Sequence, residues 1–357
     1  MNKIIHQMSF AELNEREKSI LRYIIQQFIL TASPVGSRNI TKRYDLGISP
    51  ATVRNIMSDL EESGFIDHPH TSAGRIPTDK GYRFYVDSLM NVQAIDNNEK
   101  KMIDKEFESK LDETDELLKV TSNILSKITR QLACVTYPKL ETGALEKLQI
   151  ISLSSTRILV VMSIKGGLVK TITIEFASEI KEFQISAVQN LLNERLSGLS
   201  FKEIRATFSE RFKDVHEDQK AIIRLFLNSA DKVFKDVRSS DGVYITGAKN
   251  VIQQPEFDDP ERFQSVIELI EDKDIIVHIL DKTEDMNSDN VYISIGKENE
   301  DQKLLDYSLI TKEYKIGDVS GHLGIIGPKR MEYSKVIAIV DYVAKMLTET
   351  LKNEIMK

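Results

Sequence analysis

The stretch that decides the fold is Ile48-Ser49-Pro50-Ala51-Thr52-Val53-Arg54-Asn55-Ile56-Met57-Ser58-Asp59-Leu60-Glu61-Glu62-Ser63-Gly64-Phe65-Ile66, followed by His68-Pro69-His70-Thr71-Ser72-Ala73-Gly74-Arg75-Ile76-Pro77. Ser49 suits a helix cap, because its hydroxyl accepts an otherwise unpaired amide of the first turn. Pro50 follows at the first helical position, where a missing N–H costs nothing. Val53, Ile56, Met57 and Leu60 recur at three- and four-residue spacing and form one apolar stripe. Gly64 stops the helix in the left-handed conformation. Ala51, Thr52, Arg54, Asn55 and Ser58 are left on the open face. Small and hydrogen-bonding side chains of this kind fit a groove about 12 Å wide and meet base edges there. Asp59, Glu61 and Glu62 gather at the far end, away from phosphates if the N-terminal half reads.

The flanking segments extend this pattern. Leu13, Ile20, Leu21, Ile24, Ile25 and Phe28 predict a helix over 14–30. Pro34-Val35-Gly36-Ser37 breaks it, and Ser37 opens a short helix over 38–44 with Ile40 and Tyr44 inward. Asp45-Leu46-Gly47 is then the turn of a helix-turn-helix. The helix before the reader crosses the phosphate backbone in this motif, so Arg38, Lys42 and Arg43 are phosphate candidates, joined by the capping Ser49. After Gly64, Phe65-Ile66 starts a strand, and Arg75 is expected at the tip of a wing. His70, Lys80 and Arg83 complete the expected backbone contacts, while Thr52, Arg54, Asn55, Ala51 and Ser58 read bases. A capped helix alone carries no function, and a lone surface arginine is usually a solvated charge. The conjunction of turn, cap and basic hairpin points to a winged-helix reader of double-stranded DNA.

The net charge of −7 argues at first against a nucleic-acid partner. Residues 1–90 hold eleven Lys+Arg and ten Asp+Glu, a balance of +1, so the remainder carries −8. Affinity for DNA follows local phosphate contacts rather than the whole-chain sum. The single cysteine, Cys134, excludes an internal disulfide and suits a reducing cytoplasm, where it is expected as a small core residue. No signal peptide and no membrane span are expected.

Several blocks closely resemble one family. Ser49-Pro50-Ala51-Thr52-Val53-Arg54-Asn55 with Leu60-Glu61-Glu62, the wing segment 70–78, Gly81-Tyr82-Arg83 and Tyr85-Val86-Asp87 are similar to the bacterial heat-inducible transcription repressors, the HrcA family. Gly247-Ala248-Lys249-Asn250, Gln254-Pro255-Glu256-Phe257, Ile295-Gly296-Lys297-Glu298-Asn299 and the segment 324–333 extend the resemblance to nearly the whole chain. Lys329 stands where the family more often has threonine. The resemblance implies a repressor that binds an inverted-repeat operator (the CIRCE element) ahead of chaperone operons. It further implies loss of repression on heating, modulation by the chaperonin, and a GAF-like domain carrying an inserted dimerising domain.

The rest of the chain fits that plan. Residues 91–98 read as a linker. Ile103, Phe107, Leu111, Leu118, Leu125, Ile128 and Leu132 predict one or two amphipathic helices over 99–132. Residues 157–164 are nearly continuously apolar, as in a strand covered on both faces, and Gly166-Gly167 turns it into a return strand over 168–176. Residues 179–237 switch to helical period, and strands resume at 243–245, 291–295, 308–314 and 322–326. A closing helix over 334–354 turns Val336, Ile339, Val340, Val343 and Leu347 inward. The fold class is thus α+β and multidomain. A winged helix-turn-helix (1–90) and linker (91–98) precede a GAF-like α/β domain in two parts (99–178 and 241–357), interrupted by a mainly helical dimerising subdomain (179–240). Gly296, Gly321, Gly324 and Gly327 are expected to make strand turns rather than border a ligand pocket.

No catalytic set is evident. His68-x-His70 falls short of the roughly four ligands of a structural zinc, and Gly321-x-x-Gly324-x-x-Gly327 is not a dinucleotide pattern. The expectation is a non-enzymatic, cytoplasmic, nucleoid-associated homodimer with no cofactor and no metal. An enzyme with a winged-helix arm, identified by turnover, and a ligand-sensing regulator, identified by ligand-dependent operator affinity, remain the alternatives.

Overall fold

A computed structural model describes residues 13–44, 47–69, 74–108, 114–176, 181–215, 223, 226, 233–234, 242–281 and 290–355. The chain is a mixed α/β protein that divides into two compact units. The first comprises 1–136, 243–313 and 322–346; the second comprises 137–242, 314–321 and 347–357.

The first unit begins with three helices, α1 (Glu15–Thr31), α2 (Ser37–Arg43) and α3 (Pro50–Glu62), then a two-stranded antiparallel ribbon of β1 (Ile66–Asp67) and β2 (Ile76–Pro77). Asn14 caps α1 reciprocally with Glu17, as its composition dictates. Ile20, Leu21, Ile24 and Ile25 of α1, Ile40 of α2, and Val53, Met57 and Leu60 of α3 are buried together with Phe65 and Ile66. Ile56, expected inward, is only half-buried. The expected turn at Asp45-Leu46 lies outside the described residues. α4 (Asp79–Phe84) follows, capped by the Thr78 hydroxyl, and widens into a π-helical turn over Tyr85–Leu89.

A five-stranded sheet forms the second layer of this unit, in the order β7-β3-β10-β9-β8. Its strands are β3 (Leu132–Thr136), β7 (Val243–Thr246), β8 (Tyr292–Ile295), β9 (Tyr307–Ile316) and β10 (Val319–Pro328). Before β3 stand α5 (Asn97–Glu108) and α6 (Thr114–Thr129), so the expected helical region is two helices; Leu111 lies outside the described residues. Leu132, expected as the last helical residue, instead opens β3, a strand that sequence periodicity does not separate from the helix before it. α9 (Ala248–Ile252), α10 (Pro260–Glu271) and α11 (Lys273–Asp281) follow β7. Val266, Leu269, Ile276 and Leu280 from α10 and α11 pack with Leu132, Cys134, Leu309 and Ile326 of the sheet. Sequence reading assigns 260–281 no element, although the Val266, Leu269, Ile270 spacing is a helical signal. α12 (Tyr333–Ile355) closes the chain as expected, with Val336, Ile339, Val340, Val343 and Leu347 buried.

Gly321, Gly324 and Gly327 correct the expectation of turns, because all three lie within β10. A Cβ there would come within 2.6 Å of the Tyr314 hydroxyl, 2.8 Å of Leu280 and 2.4 Å of Gln131 respectively. They are packing glycines. Cys134 is fully buried in β3, and burial pushes its thiol up to about 12. Only the thiolate is reactive. The folded protein is therefore expected to resist alkylation at neutral pH, with Cys134 labelled only after denaturation; mass-spectrometric counting of labelled thiol checks this.

The second unit contains a separate three-stranded antiparallel sheet of β4 (Leu145–Ser154), β5 (Arg157–Ile164) and β6 (Val169–Glu175), in that order. α7 (Glu182–Leu196) and α8 (Phe201–Arg211) bury one face of it. Leu148, Ile158, Val160, Met162 and Ile164 pack there with Val188, Leu192, Phe201, Ile204 and Phe208. Two expectations change here. The hairpin, expected in the first part of the GAF-like domain, pairs with β4 and packs on α7 and α8, so the interrupting unit begins at Tyr137 rather than at 179. The run over 157–164, expected to be covered on both faces, alternates between buried and half-exposed residues. Of the expected third helical segment, Ile223, Phe226 and Val233 are buried, while Ile222 and Leu225 lie outside the described residues.

Candidate nucleic-acid interface

α3 is delimited by its own sequence. Ser49 is extended, and its Oγ accepts the Thr52 amide at 3.1 Å. At the other end the Phe65 amide reaches the Leu60 carbonyl and the Gly64 amide reaches Glu61, each at 2.9 Å. Gly64 sits at φ +76°, so this is a left-handed Schellman stop that a Cβ would strain. Burying Val53, Met57 and Leu60 turns the opposite side outward. Ala51, Arg54, Asn55 and Ser58 are exposed, as are Asp59 and Glu62 further on. Thr52 is half-buried, and its hydroxyl lies 3.0 Å from that of Ser49, so it is partly committed to the cap.

α2 presents Arg38, Lys42 and Arg43 to solvent. Arg43 gives a hydrogen bond to the Gln27 side chain at 2.7 Å. Arg38, Lys42 and Arg54 form no ion pair with any described residue. Three exposed cations on α2 and α3 are thus open to an anionic partner.

The basic hairpin is arranged differently from the sequence expectation. His70 lies outside the described residues. Arg75 immediately precedes β2 on the loop side of the ribbon, and residues 70–73, which the expected tip would include, lie outside the described residues; its backbone bridges Val35 through two hydrogen bonds of 2.8 and 2.9 Å. Its guanidinium pairs with Glu61 at 2.6 Å. Lys80 is exposed, but its ammonium donates to the Ser63 carbonyl at 2.8 Å and lies 4.4 Å from the Phe65 ring centre, bracing the end of α3. Arg83 is 1% exposed and cannot reach a phosphate from there. Its Nε donates to Glu298 Oε1 at 2.7 Å, its Nη2 to the Ile293 carbonyl at 2.8 Å and to the second Glu298 oxygen, and its Nη1 to Asp87 at 3.3 Å. Burial opposes the guanidinium charge, but Glu298 and Asp87 outweigh it and hold the pKa above the ordinary arginine value.

Sequence reading missed the partners of Arg83 and their neighbours. Asp79 accepts the Lys297 amide at 3.0 Å and the Lys329 ammonium at 2.8 Å. Arg330 donates to the Ile29 carbonyl at 2.7 Å while its fork holds Glu256 and Gln254. Arg83 and Glu298 stand 215 positions apart, so no local pattern joins them. Glu61, Asp67 and His68 place ligand-type atoms within 4.8 Å of one another. Glu61 is shared between a hydrogen bond to His68 and an ion pair with Arg75, and the three groups among the described residues fall short of the roughly four of a structural zinc.

Comparison with known proteins gives the context. The family described as the HrcA protein C-terminal domain matches residues 115–337. The Heat-inducible transcription repressor HrcA of Chlorobium phaeobacteroides (strain BS1) is 43% identical over 352 residues, covering 96% of this chain and 100% of that one. That of Prosthecochloris aestuarii is also 43% identical, over 354 residues, covering 97% and 99%. A crystal structure of a hypothetical protein shares the fold with a TM-score of 0.58 at 21% identity, covering 96% of this chain and 100% of that one. No helix among the described residues is long and apolar enough to cross a membrane. A full-length match above 40% to proteins named as repressors leaves one assignment: this chain belongs to the HrcA family of heat-inducible transcription repressors.

Proposed function

We propose that residues 13–90 are a winged helix-turn-helix head, and that a homodimer places two copies of α3 in successive major grooves of an inverted-repeat operator of the CIRCE type. The observation that carries this reading is the outward face of α3. Ala51, Arg54, Asn55 and Ser58 are exposed beside the cations Arg38, Lys42 and Arg43, with Val53, Met57 and Leu60 turned inward. Arg54 and Asn55 select bases, and Arg38, Lys42, Arg43 and Ser49 hold phosphates. Arg75, Lys80 and Arg83 leave this list as backbone contacts, because each is engaged within the protein.

The five-stranded sheet with its helices corresponds to a GAF-like domain, and the second unit to the inserted dimerising domain. The operons are those of heat-shock chaperones, and the protein acts by occupancy rather than by catalysis. Heating abolishes repression because an ordinary folded domain is stable by only about 5–15 kcal/mol. The chaperonin then sets the size of the folded, active pool.

Selection of bound duplexes from a random pool with the full-length protein tests the reading. A recovered palindrome with half-sites one helical turn or its multiples apart is expected. A pool that stays random after repeated selection overturns it.

A further inference from the structure

Arg83 is the most deeply buried charged side chain among the described residues, and it joins the head to the five-stranded layer. Asp79, Arg83 and Asp87 repeat at four-residue spacing and so share one helix face. Arg83 grips Glu298 with both arms of its fork and takes the Ile293 carbonyl as well. Asp79 takes the Lys297 amide and the Lys329 ammonium. Gly296 lies at φ +55°, and a Cβ on it would come within 2.3 Å of Asp79 Oδ2, so the approach of this loop to α4 depends on glycine. At a second place Arg330 ties the last turn of α1 to Glu256 through the Ile29 carbonyl. At a third, Ser334 donates to the Asn91 carbonyl at 2.7 Å and accepts the Gln93 amide at 2.9 Å.

A head needed only for attachment could hang on residues 91–96 alone. Here it is held at three places, one of them a buried guanidinium fork. Buried ion pairs add little net stability relative to apolar packing, whereas a planar two-armed contact fixes direction. A dimer that reads a two-fold-symmetric site needs its two reading helices at a set separation and rotation. Head orientation on each protomer enters both.

We propose that Arg83, with Glu298 and Asp79, is a positioning residue that fixes the reading head on the C-terminal layer and thereby sets the half-site spacing the repressor accepts. It selects geometry rather than bases. This rests on the reading of the protein as a dimeric DNA reader.

The test uses full-length wild type, Arg83→Lys, Glu298→Gln and Asp79→Asn. Each is titrated against the selected palindrome, against palindromes whose spacer is lengthened or shortened stepwise through about five base pairs, half a helical turn, and against a single half-site. Wild type is expected to prefer one spacing sharply, losing at least about tenfold in affinity half a turn away, equivalent to about 1.4 kcal/mol. The variants are expected to keep single half-site affinity within about threefold while that spacing penalty shrinks to about threefold or less. Glu298→Gln lies outside the head and keeps a side-chain oxygen for Arg83, and its single half-site affinity reports directly whether the head is still folded, so it decides the matter even where a head variant folds poorly. A Glu298→Gln spacing profile as sharp as that of wild type overturns the inference. So does an equal loss on single and paired half-sites for Arg83→Lys, which would make Arg83 a support of the head's own fold rather than of its orientation. A wild type indifferent to pairing of half-sites would instead sink the dimeric reading beneath it.

Discussion

Ile151→Asp combined with Val169→Asp is expected to convert the proposed homodimer to a monomer and to weaken binding to a paired operator by about 10²–10⁴-fold, the range set by effective concentration. Affinity for a single half-site is expected to stay within about threefold of wild type, because no DNA-facing residue is touched. The argument starts from the sheet of β4, β5 and β6. Its inner face is buried by α7 and α8. The cross-strand registers Ile151↔Leu159↔Thr173, Gln149↔Val161↔Thr171 and Lys147↔Ser163↔Val169 put these residues on the outer face. Ile151 is 47% exposed and Val169 53%, with Leu153 at 52% beside them, while Leu159 and Val161 are half-exposed. The face is mixed, since Lys147, Gln149, Ser163, Thr171 and Thr173 share it, and its exposed apolar residues are the part that a second copy would cover in the proposed dimer. Both substituted side chains already face solvent, so neither change opens a cavity in the core. Sedimentation velocity gives the mass, and titration of paired and single half-sites gives the affinities. Variants that remain dimers and bind the palindrome as tightly as wild type would remove this face from the assembly.

The same face shows where sequence reading stops. The nearly unbroken apolar run of β5 is a sound strand signal, and Gly166-Gly167 marks its return. Period-two alternation is local, so it is readable. Which sheet the hairpin joins is not local: β4 pairs with it and α7 covers it, so it belongs to the second unit rather than the first. The bounds of α3 are readable because a cap, an initial proline, a stripe and a left-handed stop all fall within seventeen residues of each other, from Ser49 to Phe65, although Thr52 and Ile56 come out half-buried. The cations are readable only as cations. Arg38, Lys42 and Arg54 stay open, whereas Arg75 is claimed by Glu61 and Arg83 by Glu298. A carboxylate 215 positions away leaves no periodicity in the chain. There is a partial sign: the stretches around Glu256, Glu298 and Lys329-Arg330, singled out by resemblance alone, are the ones that hold the head. Their meaning comes from packing.

The open cations and the reading face lead to opposite expectations for two single substitutions. Arg54 lies on the exposed side of α3, one turn beyond the Ser49 cap, and forms no ion pair with any described residue. A guanidinium there can contact guanine O6 and N7 together, a geometry worth about 1–3 kcal/mol of discrimination. Arg54→Ala is therefore expected to weaken the selected palindrome by roughly 5–150-fold per recognised half-site while changing binding to a scrambled duplex by much less. Lys42 is exposed on α2, where a phosphate contact positions the head without reporting sequence. Lys42→Ala is expected to weaken palindrome and scrambled duplex by the same factor and to lower the slope of log K against log salt by about 0.9 for each phosphate left without its lysine. Fluorescence anisotropy with both duplexes over a salt series measures the affinities and the slopes together. Stability is not at issue in either case, since both side chains are exposed and neither belongs to the buried stripe of Val53, Met57 and Leu60. If Arg54→Ala lost equally on both duplexes, base selection would have to pass to Asn55 or Ser58. If Lys42→Ala left the salt slope unchanged, α2 would not be the element that crosses the backbone, and the orientation of the head on DNA would need to be drawn differently.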